Sequence, residues 1–175
     1  MNEPGAMRDA SVVVARDVNG LVALLSADFP RHGGEYLFLP GGRREEGENP
    51  EECARRELRE EAGITAETWQ PLGAYAMTLG STARVHLFEA ANLTLGPQEL
   101  TPNEADFKLA WWPLNDAITA AAEGRFLLPA GPLALLLVDR REIHVKDPSR
   151  RAPGQDSGSD RSAKRPGITV DLGDY

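Results

Sequence analysis

Residues 42–64 read GRREEGENPEECARRELREEAGI, and this stretch predicts one helix with well-marked ends. Asn49 is a favourable N-cap, and Pro50 suits the first helical position because an N–H group there would have no intrahelical partner. Gly63 is the residue type that most often ends a helix in the left-handed conformation. We therefore predict a helix that begins at Pro50 and is ended by Gly63.

The predicted helix gathers acidic residues on one of its faces. At 100° per residue, three carboxylates share that face: Glu57, Glu60 and Glu61. A second stripe is apolar and suits packing against a sheet: Ala54, Leu58 and Ala62. Neighbouring like charges cost roughly a few tenths of a kcal/mol per pair, which predicts a cation beside the acidic face. Mg²⁺ prefers such oxygen ligands, although a mixed Glu/Arg helix taken alone is more often a solvated surface.

The loop before the helix favours the metal interpretation. Gly41 and Gly42 follow a strand pattern, and Gly47 and Glu48 come just before the N-cap. Glycines let a chain approach a ligand closely, so this loop is suited to bring a backbone carbonyl and a fourth carboxylate to the ion.

Strand patterns flank this helix on both sides. Before it, residues 11–16 predict a strand, Asn19-Gly20 a hairpin turn, and residues 21–27 the partner strand. Further strands are predicted at residues 36–40, 74–78, 84–90 and 107–112, and further helices at residues 114–123 and 131–140. This order predicts an α/β (α+β) fold with helices on both sides of a mixed β-sheet.

The acidic stretch resembles the signature of the Nudix hydrolases at every specified position. The matching residues are Gly42, Glu48, Arg56, Glu57, Leu58, Glu60, Glu61, Gly63 and Ile64. A chance match of this length is of order one in 10⁷ at average residue usage. The resemblance implies a Nudix-type α/β/α sandwich, and hydrolysis of a nucleoside diphosphate linked to another group with Mg²⁺ or Mn²⁺.

The same resemblance implies a role for each residue of the site. Glu57 and Glu61 hold the metal ions, and Glu60 is a metal ligand or a base. Arg56 orients a catalytic carboxylate through a charge-assisted hydrogen bond, and the carbonyl of Gly41 completes a metal shell.

Segments after the helix resemble the branch of ADP-ribose and ADP-sugar pyrophosphatases. They are GSTARVHLFEAANL at 80–93, NEADFKLAWWPLNDAI at 103–118 and GRFLLPAGPLALLL at 124–137. In that branch a glutamate before the last sheet strand often helps to activate water, and Glu104 is our choice over Asp106. The chain departs from the branch at Leu79, where proline is frequent, and at PGG (40–42), where PAG is frequent. The alternatives are a nucleoside triphosphate or dinucleoside polyphosphate hydrolase, and a nucleotide-sensing domain that does not cleave its ligand.

Aromatic and basic side chains are the candidates for substrate binding. Tyr36 and Trp111 are predicted to stack on a base, because an aromatic platform binds the face of any base, and Arg84 is predicted to bind phosphate. Trp111 and Trp112 alternate along one predicted strand, so at most one of them lines a cleft. Cys53 is not a predicted nucleophile, because the nearby acids disfavour its thiolate.

Composition limits the classes of partner. The chain has 175 residues, 19 Lys plus Arg, 27 Asp plus Glu and a formal net charge of −8. This balance argues against nucleic acid and anionic membranes as partners, because both attract basic surfaces. The chain contains 1 Cys, which excludes an internal disulfide, and it contains no apolar run of about 20 residues. We expect a cytoplasmic protein that binds a small nucleotide, in a homodimer as is common among related pyrophosphatases.

The composition changes at Asp147. Residues 1–146 are the predicted Nudix hydrolase domain. Residues 147–175 are rich in Pro, Gly and Ser, with balanced charges, and they predict a low-complexity, disordered tail. Within that tail, ITVDL at 168–172 has a weak strand alternation, which would instead allow it to add to a sheet edge.

Overall fold

The structure is a computed structural model that describes residues 8–146. The strands in this range are β1 (Ala10–Ala15), β2 (Leu21–Phe29), β3 (Gly34–Phe38), β4 (Gly41–Arg43), β5 (Ile64–Ala76), β6 (Arg84–Leu95) and β7 (Lys108–Pro113). The α-helices are α1 (Pro50–Ala62), α2 (Leu114–Ala122) and α3 (Ala130–Lys146). Short 3₁₀ turns lie at Pro30–His32 and Pro102–Glu104.

The strands form two sheets, whereas the sequence predicted one. Sheet A has the order β4-β1-β6-β5; β1 is parallel to β6 and the other neighbours are antiparallel. Sheet B is antiparallel, in the order β3-β2-β7. The predicted hairpin of β1 with β2 is wrong, because both edges of β1 already pair, with β4 and β6. The turn at Asn19-Gly20 therefore carries the chain from one sheet to the other, and an isolated bridge between Arg16 and Val22 joins the two strands.

Helices cover both sides of the sheets. The apolar stripe of α1 packs with Val13 of β1 and Phe88 of β6 in one core cluster. Val14 and Leu87 point to the opposite face, where they pack with α2 and α3 in a second cluster. Successive strand residues alternate between faces, so β1 and β6 supply both cores. The predicted α/β/α sandwich, with a mixed sheet between helices, is confirmed.

The ends of α1 are those that the sequence predicts. The side chain of Asn49 accepts a hydrogen bond from the backbone N–H of Glu52 at 2.9 Å. The carboxylate of Glu52 accepts one from the backbone N–H of Asn49 at 2.8 Å, and the two bonds form a complete capping box. Gly63 ends the helix with φ 66° and donates its N–H to the carbonyl of Arg59 at 2.9 Å. These contacts fix the direction of the acidic helix at both ends.

Strand β5 begins ten residues earlier than predicted, at Ile64 rather than Ala74. Pro71 and Gly73 hide this strand in the sequence, because both residue types normally mark strand ends or bulges. In the structure they sit at a register shift, and continuous pairing with β6 on either side keeps the strand intact.

The predicted tail, with its weak strand at 168–172, lies outside the described residues, as do residues 1–7. The domain boundary at 146 thus stays a prediction. None of the helices between residues 8 and 146 combines the length and the apolar character needed to cross a lipid bilayer.

Candidate active site

Arg56 ties α1 to the loop that precedes it. Its Nε donates to Oε1 of Glu48 at 2.7 Å and its Nη2 donates to Oε2 at 3.1 Å, which makes a bidentate pair. Nη2 also donates to the carbonyl of Arg43 at 3.1 Å. The bonds to Arg56 hold the pKa of Glu48 below its ordinary value, and Glu48 in turn raises the pKa of Arg56. Both side chains are therefore charged at neutral pH.

The remaining nitrogen of Arg56 turns toward the acidic face of α1. Nη1 donates to Oε1 of Glu57 at 2.8 Å and to Oε2 of Glu60 at 3.2 Å. One guanidinium group thus holds three carboxylates in place, those of Glu48, Glu57 and Glu60. This arrangement is the one that an orienting role for Arg56 requires.

Glu57 and Glu61 are almost completely buried, with exposed fractions of 8% and 5%. Burial raises the pKa of Glu57, and the adjacent Arg56 offsets part of that effect. Burial raises the pKa of Glu61 to about 8, and the charges of Glu57, Glu104 and Glu60 act in the same direction. Its Oε2 accepts the N–H of Gly41 at 2.8 Å. No basic side chain within residues 8–143 forms an ion pair with Glu61.

Two glycines allow β4 to lie directly against α1 and β1. A Cβ atom at Gly42 would lie 2.3 Å from Oε1 of Glu57, and one at Gly41 would lie 2.3 Å from the carbonyl oxygen of Ser11. Any side chain at either position would therefore displace the carboxylate or the strand. The sequence predicted a close approach to a ligand here; the structure shows a close approach to the acidic helix itself.

Glu104 reaches the same cluster from another part of the chain. It ends the 3₁₀ turn Pro102–Glu104, and its Oε2 accepts the N–H of Thr101 at 3.0 Å. Its negative charge raises the pKa of both Glu57 and Glu61, so it lies near enough to the acidic side of α1 to act on these two carboxyl groups. Glu104 is half-buried, whereas the rival candidate Asp106 is exposed. The fold therefore brings Glu104 to the helix that carries the predicted metal ligands.

A family model described as "NUDIX domain" matches residues 6–130 of this chain. The chain belongs to the Nudix family. The acidic stretch that forms most of the site, residues 42–64, lies wholly within the matched range.

Two curated relatives are similar to this Nudix chain over part of their length. An "ADP-ribose pyrophosphatase" of Mycobacterium tuberculosis is 33% identical over 121 residues, which are 67% of this chain and 58% of the relative. A "CMP-5'-(N-acetyl-N-hydroxy-3-aminopropyl)phosphonate hydrolase" of Streptomyces rubellomurinus is 31% identical over 106 residues, 57% of this chain and 48% of the relative. The chain thus spans about half the length of the curated relatives it matches.

A solved structure described as an "ADP compounds hydrolase" is similar in fold. The two chains share 24% sequence identity and a TM-score of 0.67, and the match covers 82% of this chain and 77% of the other. At this identity the similarity shows the Nudix fold alone.

The residues of the Nudix site fit a hard divalent ion. Among the side chains of residues 8–143, no three His, Cys, Asp or Glu residues stand together as a group that could hold a metal ion without rearrangement. Arg56 donates hydrogen bonds to Glu57 and Glu60, while Glu61 is buried with a raised pKa. The donors on this face are carboxylate and carbonyl oxygens, which Mg²⁺ and Mn²⁺ prefer. A bound cation would also offset the cost of ionising Glu61 where it is buried.

Tyr36 and Trp111, the predicted stacking residues, lie on sheet B. Tyr36 pairs with Ala27 of β2 and Trp111 pairs with Ala23, so both side chains stand on the same face of the sheet. Trp111 packs partly against the core beneath α1, whereas Trp112 packs in the core on the other side. The prediction that Trp111 and Trp112 face opposite ways is therefore confirmed, while the stacking role stays a prediction.

Arg84 lies at the start of β6, in sheet A. Its Nη2 donates to the carbonyl of Ala74 at 3.3 Å, and its backbone N–H donates to Oδ1 of Asp9 at 3.0 Å. Oδ2 of the same Asp9 lies 3.2 Å from Nε2 of His86. None of these contacts joins Arg84 to the acidic cluster, and phosphate binding by Arg84 stays a prediction.

Three phenylalanines that no sequence pattern predicted pack together on sheet B and at its edge. Phe38 contacts Phe29 edge-on, with ring centroids 5.6 Å apart, and contacts Phe107 in the same way at 4.8 Å. All three are half-buried, and none belongs to either core cluster among the described residues. Phe38 precedes Gly41 by three residues, and the N–H of Phe107 donates to the carbonyl of Glu104 at 2.8 Å. Their spacing follows no single-strand pattern, so only the paired sheet reveals the group.

Proposed function

We propose that this Nudix protein is a metal-dependent pyrophosphohydrolase that cleaves the diphosphate of ADP-ribose or a related nucleotide sugar. The products would be a nucleoside monophosphate and a sugar phosphate. The observation that carries the proposal is the buried carboxyl group of Glu61, which lies beside Glu57 and Glu60 and has no basic partner among the described side chains. A fold gains nothing in stability from such a cluster, whereas hydrolysis of a polyanion requires one that collects cations.

Each carboxylate has a role in this proposal. Glu57, Glu60, Glu61 and the carbonyl of Gly41 would hold Mg²⁺ or Mn²⁺. When bound, the ion neutralises the diphosphate and makes a water more acidic. Glu104 would accept the proton of the attacking water, because it stands on a separate loop that faces the cluster. Arg56 would keep Glu57 and Glu60 in position through its paired hydrogen bonds.

The choice of a nucleotide sugar is supported by two kinds of similarity. The relative from Mycobacterium tuberculosis has "ADP-ribose pyrophosphatase" as its description, and the segments after α1 resemble that branch. The base would rest on the aromatic face of sheet B, formed by Tyr36, Phe38, Phe107 and Trp111, because stacking holds any base by its face.

We also propose a cytoplasmic location and a homodimer. The single cysteine, Cys53, is buried and free, which suits a reducing compartment. Homodimers are common among the pyrophosphatases that the chain resembles.

Product analysis tests the proposal. The purified chain would be incubated with ADP-ribose, other nucleotide sugars and nucleoside triphosphates, with Mg²⁺ or with excess EDTA, and the products separated by chromatography. We expect AMP and ribose 5-phosphate from ADP-ribose, with kcat/KM at least ~10-fold above that of any common triphosphate. Pyrophosphate release from triphosphates at a higher rate would instead identify a triphosphate hydrolase.

A matched pair of variants separates the metal mechanism from a general effect of losing charge. Glu57→Gln should lower kcat/KM by ~10² or more, whereas Glu67→Gln, at an exposed position on β5, should leave it unchanged. Full turnover in excess EDTA would contradict the metal mechanism.

A further inference from the structure

The loop between β6 and β7 is fastened to the C-terminal end of α1 by three hydrogen bonds. The N–H of Gly96 donates to the carbonyl of Gly63 at 2.7 Å, and the N–H of Glu99 donates to the carbonyl of Glu60 at 2.8 Å. Between them, Nε2 of Gln98 donates to the carbonyl of Glu61 at 2.6 Å. The last carbonyls of a helix have no partner within it, so this loop supplies the partners that the end of α1 lacks.

These hydrogen bonds connect the helix that carries Glu57, Glu60 and Glu61 to the loop that carries Glu104. Two of the three accepting carbonyls belong to Glu60 and Glu61, whose side chains lie on the acidic face of α1. The same loop then continues to the turn Pro102–Glu104, and the charge of Glu104 acts on the carboxyl groups of Glu57 and Glu61 on that face. The path from the helix to Glu104 is therefore short and is fixed at its start.

One of the three anchors depends on the type of residue. Any residue except proline supplies the backbone N–H that Gly96 and Glu99 donate, but the middle bond needs a side-chain donor of the length of glutamine. Gln98 is half-buried, which protects its bond from competition with water. Close packing holds the loop beside it, because a Cβ atom at Gly63 would lie 2.4 Å from the carbonyl oxygen of Gly96.

We propose that Gln98 is a positioning residue, which holds the β6–β7 loop on the end of α1 so that Glu104 faces the acidic cluster. This inference rests on the proposed function, because it assigns Gln98 an effect on hydrolysis that acts through Glu104. Gln98 itself touches neither the substrate nor a metal ligand side chain in this assignment.

A double-mutant cycle tests the proposal. Gln98→Met keeps the length of the side chain and removes the donor, Glu104→Gln removes the proton acceptor, and the double variant combines them. Gln70→Met is the matched control, since Gln70 is exposed on β5. We expect Gln98→Met to lower kcat by about 10-fold with little change in KM, and to cause no further loss in the Glu104→Gln background, as for residues that act as one unit.

Hydrogen exchange gives a readout that does not depend on turnover. Amides of residues 96–107 should exchange about five-fold faster in Gln98→Met than in the wild type, since a lost hydrogen bond is worth about 1 kcal/mol. Gln70→Met should leave this exchange unchanged.

The outcomes separate the inference from the function. Wild-type protein that cleaves no nucleotide sugar overturns the proposed function and, with it, the effect of Gln98 on hydrolysis. If the wild type is active and Glu104→Gln is impaired, a normal kcat for Gln98→Met or an additive loss in the double variant overturns the positioning role alone. Unchanged exchange in residues 96–107 shows that Gln98 does not fasten the loop.

Discussion

Replacing Glu61 with glutamine is expected to stabilise the metal-free protein at high pH. Burial raises the pKa of Glu61 to about 8 from its ordinary value of 4.5. Between these values the folded protein keeps a proton that the unfolded chain has released, so stability falls as the pH rises through this window. At about 1.4 kcal/mol per pH unit, the interval corresponds to about 5 kcal/mol, a large part of the 5–15 kcal/mol typical of whole domains. Glutamine keeps the shape of the side chain and cannot ionise, so the loss disappears with it.

Urea unfolding in excess EDTA measures this effect. At about pH 4 the wild type and Glu61→Gln should have similar free energies of unfolding, because Glu61 is then largely protonated in both the folded and the unfolded state. At about pH 9 the variant should be more stable by several kcal/mol. A smaller pH dependence should remain in the variant, because burial also raises the pKa of Glu57.

A control variant and added Mg²⁺ show whether the pH effect is specific to Glu61. Glu67→Gln removes an exposed glutamate and should follow the wild-type pH profile. Saturating Mg²⁺ should raise the stability of the wild type more than that of Glu61→Gln, because an ion stabilises the state that binds it. Parallel pH profiles for the wild type and Glu61→Gln would refute the reasoning.

Three further variants or probes test the remaining contacts. Gly42→Ala places a methyl group too close to Oε1 of Glu57 and would displace that carboxylate, so it should abolish most activity, and unchanged kcat/KM would contradict the close approach. Arg56→Lys keeps the charge but loses the bidentate pair with Glu48, and we expect unfolding to be easier by about 1–3 kcal/mol in a urea titration. Cys53 is fully buried and burial raises its pKa, so a thiol reagent should label it only after unfolding; rapid labelling of native protein would be the contrary result.

The sequence predicted the local structure of α1 well, because its signals are local. The N-cap, the proline at the first position and the terminal glycine act within one or two turns, and each has the contact that its residue type predicts. The pairing of β1 with β2 was predicted wrongly because sheet partners are chosen over long distances. The parallel pairing of β1 with β6 joins residues more than 70 positions apart, such as Val12 with Leu87, and no pattern within β1 reveals it.

In the candidate site, too, the sequence predicted the local arrangement and not the long-range contacts. Helical spacing alone placed Glu57, Glu60 and Glu61 on one face, and the resemblance to the Nudix signature assigned their chemistry. Helical spacing could not show how Arg56 reaches that face, since its backbone position lies to the side. Its long side chain crosses to bond Glu57 and Glu60 while it also holds Glu48. The anchoring of the β6–β7 loop by Gln98 was also beyond the sequence, because it depends on which loop meets the end of α1.

The acidic cluster lowers the stability of a helix whose other contacts raise it, and this contrast bears on its function. Most of α1 is arranged for stability, with a capping box, an apolar stripe on the core and a bidentate Arg56–Glu48 pair. Glu61 departs from this arrangement, because it is buried, lacks a basic partner within the described residues and lies among other carboxylates. A position that lowers the stability of the metal-free fold is explained when the fold serves a ligand, and we propose that the ligand at Glu61 is a cation. In α1 the capping box, the apolar stripe and the Arg56–Glu48 pair thus stabilise the fold, whereas Glu61 lowers the stability of the metal-free protein and is explained by the proposed metal binding.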